Sequence, residues 1–320
     1  MREVVGSVVG WPKDNVSSKT LGKSILYGDE ALNHRLALDL VFPLADGNLS
    51  FPNLNGEAQR KSKAAAEALM LHLVELARAR KDQLVYAVIG APADATIHNK
   101  QAILEVGAHA GISAAMVVSE PFSVAYGIDT LDDAIIVDIG AGTIDLCRLH
   151  GTLPERDDQI SINRAGNYID QELAKRIKAR YPEAQFSQNM AKKAKERFSR
   201  VIESEDRAIV SFPVNGRPTE LDVTAEIREA VSLIVPEILD AIQKLVASFD
   251  PEFQHRIRER VLLSGGGSQI FGLRKALEDG MRRIGGGNVA LVDEPVYAGA
   301  TGSLKLAREM PAEYWEKLSR

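Results

Sequence analysis

An α/β protein of two domains with mixed sheets is what this sequence predicts, from three observations. The chain has 320 residues, beyond the size at which one hydrophobic core usually keeps growing. Short apolar runs alternate with segments of helical periodicity along its whole length. Reversal signals such as Asp46-Gly47 and Asn215-Gly216 interrupt that alternation and add antiparallel pairs.

The elements follow in order. Val4–Val9 reads as an opening strand, followed by a loop holding Pro12 and Asp14. Ser24–Tyr27 is a short strand, and Gly28-Asp29-Glu30 opens a helix through His34. Leu40–Leu49 (LVFPLADGNL) is strand and turn. Lys61–Lys81 carries Ala, Leu and Met at helical spacing. Leu84–Ile89 is a buried strand stopped by Gly90-Ala91-Pro92. Asn99–Ala110 is a helix, Ala115–Val118 a strand, and Pro121–Gly127 a short helix. Ile135–Leu146 is a strand–turn–strand hairpin, followed by strand Gln159–Asn163 and helices Tyr168–Tyr181 and Asn189–Val201. Arg207–Val223 forms a hairpin, after which Thr224 caps a long helix to about Phe249, bent near Pro236. Strand Arg260–Ser264, a helix beginning at the triple glycine, strand Asn288–Val292 and a final helix Tyr297–Arg308 complete the chain.

Composition narrows the function. A net charge of −5 argues against general capture of nucleic acid or anionic membrane. The densest basic run, Lys192–Arg200, reads as a solvated helix face rather than a binding patch. Cys147 is the single cysteine, which excludes an intrachain disulfide and suits a reducing cytoplasm; it reads as a small buried hydrophobe. No apolar run has the length of a membrane span, so direct membrane insertion is not expected.

The most informative segment is IIVDIGAGTIDL at Ile135–Leu146. Gly140 and Gly142 are expected at positive φ, where freed N–H groups form a nest for an anion. Thr143 adds a hydroxyl, and Asp138 places a carboxylate where hydrated Mg²⁺ would sit beside phosphates. An ordinary glycine hairpin remains the alternative for this segment alone. Three further segments point the same way: VSEPFSVAYG at Val118–Gly127, LLSGGGSQIFGL at Leu262–Leu273, and the small-residue helix YAGATGSL at Tyr297–Leu304. The second is a strand and a triple-glycine turn leading into a helix N-terminus.

In this order these segments resemble the nucleotide site of the actin superfamily. PLADGNL at Pro43–Leu49 is similar to a segment of the MreB-type bacterial actins. SVVGWPKD (Ser7–Asp14), YGDEAL (Tyr27–Leu32), AGNYID (Ala165–Asp170) and MPAEYWEKL (Met310–Leu318) resemble the MamK-like magnetosome actins. The resemblance runs over essentially the whole chain. It implies an actin-like ATPase fold, two α/β domains flanking a nucleotide cleft: residues 1–130 plus 291–320, and residues 131–290 with an outer lobe near 189–224. It implies ATP and Mg²⁺ as cofactors, homo-oligomeric filaments in the cytoplasm, and magnetosome-associated proteins as partners.

Position by position, the resemblance gives Asp138 the Mg²⁺, held through water, and Gly140, Ala141, Gly142 and Thr143 the phosphates. Glu120 would orient the attacking water; a strand-end ion pair is its alternative. Gly265, Gly266 and Gly267 would lie against adenosine, and Gly166 near ribose and phosphate. Lys195 would pack beside adenine, or else be a solvated helix lysine. Two departures stand out. Lys192 occupies the position where relatives often carry a ribose-binding Glu. No Asp-x-Gly-Thr hairpin precedes Ser7, so weak ATP binding, an upstream extension, and an unpaired, uncovered Val4–Val9 strand are expected. A non-catalytic scaffold that polymerises without turnover is therefore the alternative to an ATPase.

Overall fold

The computed structural model describes residues 2–45, 47–80 and 82–319, and these divide into two compact units. Unit 1 comprises the chain up to Ser119 together with the segment from Ser303 onward, and unit 2 is Glu120–Gly302.

In unit 1 the opening differs from expectation. Val4–Gly6 lies outside any strand, and β1 (Val9–Pro12) is the centre of a three-stranded sheet. A polar helix, α1 (Asn15–Leu21), follows; Asp14 caps it by accepting from the Ser17 N–H at 2.7 Å, and Gly22 ends it in the left-handed conformation. Then come β2 (Leu26–Tyr27), α2 (Gly28–Asn33) and β3 (Leu38–Val41). β1 pairs antiparallel with β2 on one side and β3 on the other. Val9 packs against Ala65 and Leu69 of α3 on one face, and Val8, just before the strand, packs with Leu26, Ala31 and Leu38. The expected unpaired, uncovered strand is thus corrected: pairing partners, not the valine run, select Val9–Pro12.

β4 (Leu44–Ala45) and β5 (Asn48–Leu49) form a small hairpin; Asp46, half of the expected reversal, lies outside the described residues. Helix α3 (Gly56–Leu76) begins and ends five residues earlier than its periodicity suggests. Arg78, at φ 54°, takes the chain out of helical conformation, and the expected last residue, Lys81, lies outside the described residues. β6 (Tyr86–Ala91), α4 (Ile97–His109) and β7 (Ala114–Ser119) make a parallel βαβ unit, β6 running through Gly90 and Ala91.

Unit 2 opens with α5 (Glu120–Gly127), then β8 (Ala134–Ile139) and β9 (Ile144–Leu149), whose near-continuous apolar runs are buried on both faces. β10 (Gln159–Ile162), α6 (Gly166–Arg180), α7 (Gln188–Phe198) and the hairpin β11 (Ile209–Val214)–β12 (Arg217–Asp222) follow. The expected long helix is two, α8 (Thr224–Ser232) and α9 (Ile234–Ala247). Pro236 has no N–H and its ring crowds the carbonyl of Ser232, so the break falls one turn before it. Thr224 does not cap its helix: its hydroxyl accepts from the Ala208 N–H, and the Asp222 carboxylate takes the Thr224 N–H at 3.0 Å. A short α10 (Gln254–Arg258) precedes β13 (Val261–Ser264). After the triple glycine only a 3₁₀ turn forms, and α11 (Leu273–Met281) starts later than expected. β14 (Val289–Leu291) follows, and α12 (Ala298–Glu309) carries the chain from unit 2 back to unit 1. A further helix past Pro311, α13 (Ala312–Leu318), stacks Trp315 on Tyr86.

The unit 2 sheet has the order β10-β9-β8-β13-β14, antiparallel among the first three and parallel from β8 onward. Ile135, Val137, Ile139, Ile144 and Leu146 face the large core beneath α6, α8, α9 and α11. Ile136, Cys147 and Leu149 face the opposite way, against Val124 and Ala125 of α5 and Ala298 of α12. There α5 and α12 cross with almost no space between backbones. A Cβ on Gly302 would lie 1.7 Å from the Ser123 carbonyl oxygen. Backbone cannot yield as a side chain does, so Gly302→Ala is expected to cost about 2–3 kcal/mol, in the overpacking range, read as a lowered denaturant midpoint.

Candidate nucleotide site

The end of the central hairpin in unit 2 builds the site. The turn between β8 and β9 is closed by the Gly140 N–H donating to the Thr143 carbonyl at 2.9 Å. Neither Gly140 nor Gly142 is among the described glycines at positive φ, which corrects the expected reason for them. Close approach is the reason at the adjoining Gly166. The Gly166 and Asn167 N–H groups, at the start of α6, donate to the carbonyls of Gly140 and Ala141 at 3.2 and 2.7 Å. A Cβ on Gly166 would come within 3.2 Å of both Ala141 Cα and the Gly140 oxygen. Among the described backbone bonds of the turn, none takes up the N–H groups of Ala141 and Gly142. Thr143 is buried and stands off the cavity wall.

The triple glycine approaches the same strand end. Gly265 has φ 78°, and a Cβ there would lie 2.4 Å from the Ile139 oxygen and 2.7 Å from Asp138 Oδ1. At Gly267 a Cβ would lie 2.2 Å from Ile139 Cγ2, whereas Gly266 meets open space. Between these turns lies a cavity of about 430 Å³, of a size that takes a nucleotide-sized ligand. Gly140, Ala141, Gly166, Lys195, Gly266 and Gly267 line it, as do Asn167, Asp170 and Gln269.

Lys195 is not solvated. Its Nζ donates to the Gly166 carbonyl at 2.9 Å and pairs with the buried Asp170 carboxylate at 2.8 Å. Lys192 also lines the cavity, and Arg200 is buried with its guanidinium on the Asp206 carbonyl. Only part of the basic run is therefore the solvated face expected of it. Cys147 is buried, and burial pushes its thiol up to about 12, so it is inert.

Glu120 and Asp138 do not line the cavity but are brought together on the α5 side of the sheet. Burial raises the Glu120 carboxyl from its ordinary 4.5 to about 8, with the charges of Asp138 and Asp145 adding to it. Burial likewise raises Asp138 to about 6, opposed by a hydrogen bond from Ser264 and reinforced by Asp145. Asp145 and Asp170 were not singled out from the sequence. Both were visible in part: Asp170 ends the AGNYID segment, and a four-residue turn sets Asp145 opposite Asp138.

Asp138, at the end of β8 next to the turn, offers the hard carboxylate oxygens that suit a hydrated Mg²⁺ on a phosphate chain. The glycines' close approach leaves a cradle that side chains would fill, so the residues fit a nucleotide with its metal.

Comparison with known proteins gives the family. Residues 61–313 match the MreB/Mbl protein family. The chain is 41% identical over 312 residues to the actin-like protein MamK of Paramagnetospirillum magneticum AMB-1, spanning 98% of this chain and 88% of that one. Against MamK of Magnetospirillum gryphiswaldense MSR-1 the identity is also 41%, covering 98% of this chain and 85% of the relative. Among solved structures, the MamK double helical filament superposes with a TM-score of 0.91 at 40% identity, covering 97% of this chain and 94% of that one. A non-polymerising MamK mutant bound to AMPPNP matches at a TM-score of 0.68 and 40% identity, over 95% and 92% of the two chains.

Proposed function

The chain belongs to the MreB/Mbl family of actin-like proteins, and on that premise we propose that it is a cytoskeletal ATPase. It polymerises into cytoplasmic filaments that organise magnetosome chains, with magnetosome-associated proteins as partners. The observation that carries the reading is the cavity at the end of β8, framed by Ala141, Gly166 and Gly266, in a chain that superposes on a MamK filament subunit.

Gly140 and Ala141 would take the phosphates, Gly266 and Gly267 the adenosine, and Gly166 the ribose side of the cavity, while Thr143 and Gly265 shape the turns behind them. Lys195, held by Asp170, supports that wall and lies beside the base. Asp138 is the residue that would hold Mg²⁺ through water, and the ion, when bound, would supply positive charge against the phosphate oxygens. Glu120 orients the attacking water; phosphoryl transfer is catalysed mainly by such alignment and charge stabilisation.

The test is phosphate release and sedimentation with Mg-ATP at increasing protein concentration. Release that rises together with pelleted filaments above a critical concentration supports an ATPase, and filaments without release support the scaffold. A binding titration tests Asp138 separately. Asp138→Ala is expected to abolish the Mg²⁺ dependence of nucleotide affinity, and unchanged dependence would return Asp138 to a structural role.

A further inference from the structure

In unit 1, β1 is the middle strand of its sheet, which leaves β3 at an edge. The Lys13 N–H donates to the Ala37 carbonyl, and the register runs on through Trp11 opposite Asp39 and Val9 opposite Val41. Bonding alternates along an antiparallel pair, so Asp39 and Val41 turn their N–H and carbonyl groups towards β1. Leu38 and Leu40 turn theirs to the outer edge, where no described backbone bond takes them up. Leu40 is the more open of the two.

A groove of about 770 Å³ runs along this edge, lined by all four residues of β3 and by the Trp11 side chain. Lys13, Arg35 and Lys61 also line it, with Asp39 as the one acid among the lining residues. Lys61 shares its charge with Glu57 at 2.7 Å, whereas Lys13 and Arg35 hydrogen-bond backbone carbonyls, those of Leu36 and Leu32. The groove is thus net positive in a chain of net charge −5. An edge strand is a template for another strand, and an extended segment laid on it gains main-chain bonds while its side chains enter the flanking surface. Two copies of this chain joined along β3 would set their cations against one another, so the charge selects a different occupant. We propose that the β3 edge takes up an extended, acidic segment of a partner protein. Its carboxylates meet Lys13 and Arg35, and its apolar residues lie against Trp11. The alternative is that the cations only guard the edge against pairing. The site is separate from the nucleotide cavity, whose lining belongs to unit 2.

The probe is a fluorescent peptide of alternating Glu and Val, titrated into the full chain without nucleotide at physiological ionic strength. Saturable binding is expected, and the same peptide with Lys in place of Glu should bind about tenfold or more weakly. Lys13→Glu combined with Arg35→Glu should weaken the Glu peptide by a similar factor; both side chains are exposed, so the fold is kept. Strand addition leaves a further mark. Only alternate peptide nitrogens face the edge. N-methylation of one alternate set should therefore abolish binding to the unaltered protein, while methylation of the other set leaves it.

Absence of saturable binding, or equal binding by the Glu and Lys peptides, would overturn the proposal and leave the cations as guards of the edge. Unchanged affinity in the charge-reversed variant would place the peptide elsewhere and overturn it too. Equal effects of the two methylated sets would rule out binding as a strand. A dimer of the nucleotide-free chain that the Glu peptide dissolves would assign the groove to a second copy, against the proposal.

Discussion

Glu120→Ala is expected to slow phosphate release by about 10²-fold or more while leaving nucleotide affinity near that of the parent, the signature of a lost water-positioning group. Filaments that hydrolysis destabilises should then persist longer, which sedimentation after nucleotide exhaustion measures. Equal release from variant and parent under polymerising conditions would remove Glu120 from the mechanism. The same residue makes a prediction about stability. Its carboxyl titrates near 8 in the folded chain, against an ordinary 4.5, because burial and the charges of Asp138 and Asp145 disfavour the anion. The native state therefore holds a proton that the unfolded chain has already lost, and stability falls as pH rises from about 4.5 to about 8. Glu120→Gln carries no such proton, so the variant should melt above the parent at the alkaline end of that window. The gain should shrink towards pH 5, where both side chains are neutral in the folded state. A group kept at a cost to stability and needed for turnover is what a catalytic position looks like.

The parts of the fold that were legible are those whose residues carry their own punctuation. β8 and β9 are long apolar runs bounded by Asp138 and Gly140–Thr143, and the hairpin β11–β12 turns at Asn215-Gly216 as read. Elements fixed by partners were not. Helix α1 has no buried residue, so it shows no apolar period and owes its place to Asp14 and Gly22. The opening valines suited a strand, yet the strand lies where β2 and β3 supply hydrogen bonds. The site divides in the same way. Gly166 and the triple glycine could be found because close backbone approach demands glycine. Asp145 and Asp170 look like ordinary strand and helix acids until register and helix packing bring them to Asp138 and Lys195.

A buried charge network hidden in β9 carries the largest expected effect on stability. Arg148 lies in a strand of mostly apolar residues, yet its side chain is buried and its guanidinium makes four hydrogen bonds to three groups. Nε and Nη2 donate to Asp158 Oδ1 at 3.0 and 2.5 Å, and Nη1 donates to the Leu245 carbonyl at 2.7 Å and Ser248 Oγ at 3.0 Å. The cation thus joins the sheet to the C-terminal end of α9, where the helix dipole favours it, and lies over the Phe249 ring. His150 Nε2 and the Glu155 N–H complete the shell around Asp158 Oδ2, at 3.1 and 3.0 Å. Arg148→Met fills similar space but leaves a buried carboxylate with half its partners, which is expected to cost about 3–5 kcal/mol. For a unit of this size that is a fall of roughly 6–20 °C in the melting midpoint. Arg148→Lys keeps the charge without the planar fork and should fall between the two.

The pH dependence separates this account from simple loss of packing. Burial alone would raise the Asp158 carboxyl, yet the bonds from Glu155, Arg148 and His150 outweigh it and hold it below its ordinary 3.8. Its contribution is therefore complete above that ordinary value and is lost as pH falls through the depressed one. In Arg148→Met the carboxyl loses its main counter-charge and takes up a proton at higher pH than in the parent. Protonation then removes the uncompensated charge, so the gap between parent and variant should be widest near neutrality and narrow below about pH 4. Chemical denaturation of both proteins across that range measures it. A gap independent of pH would mean that Arg148 acts through its apolar stem and its bonds to α9, and that the ion pair with Asp158 contributes little.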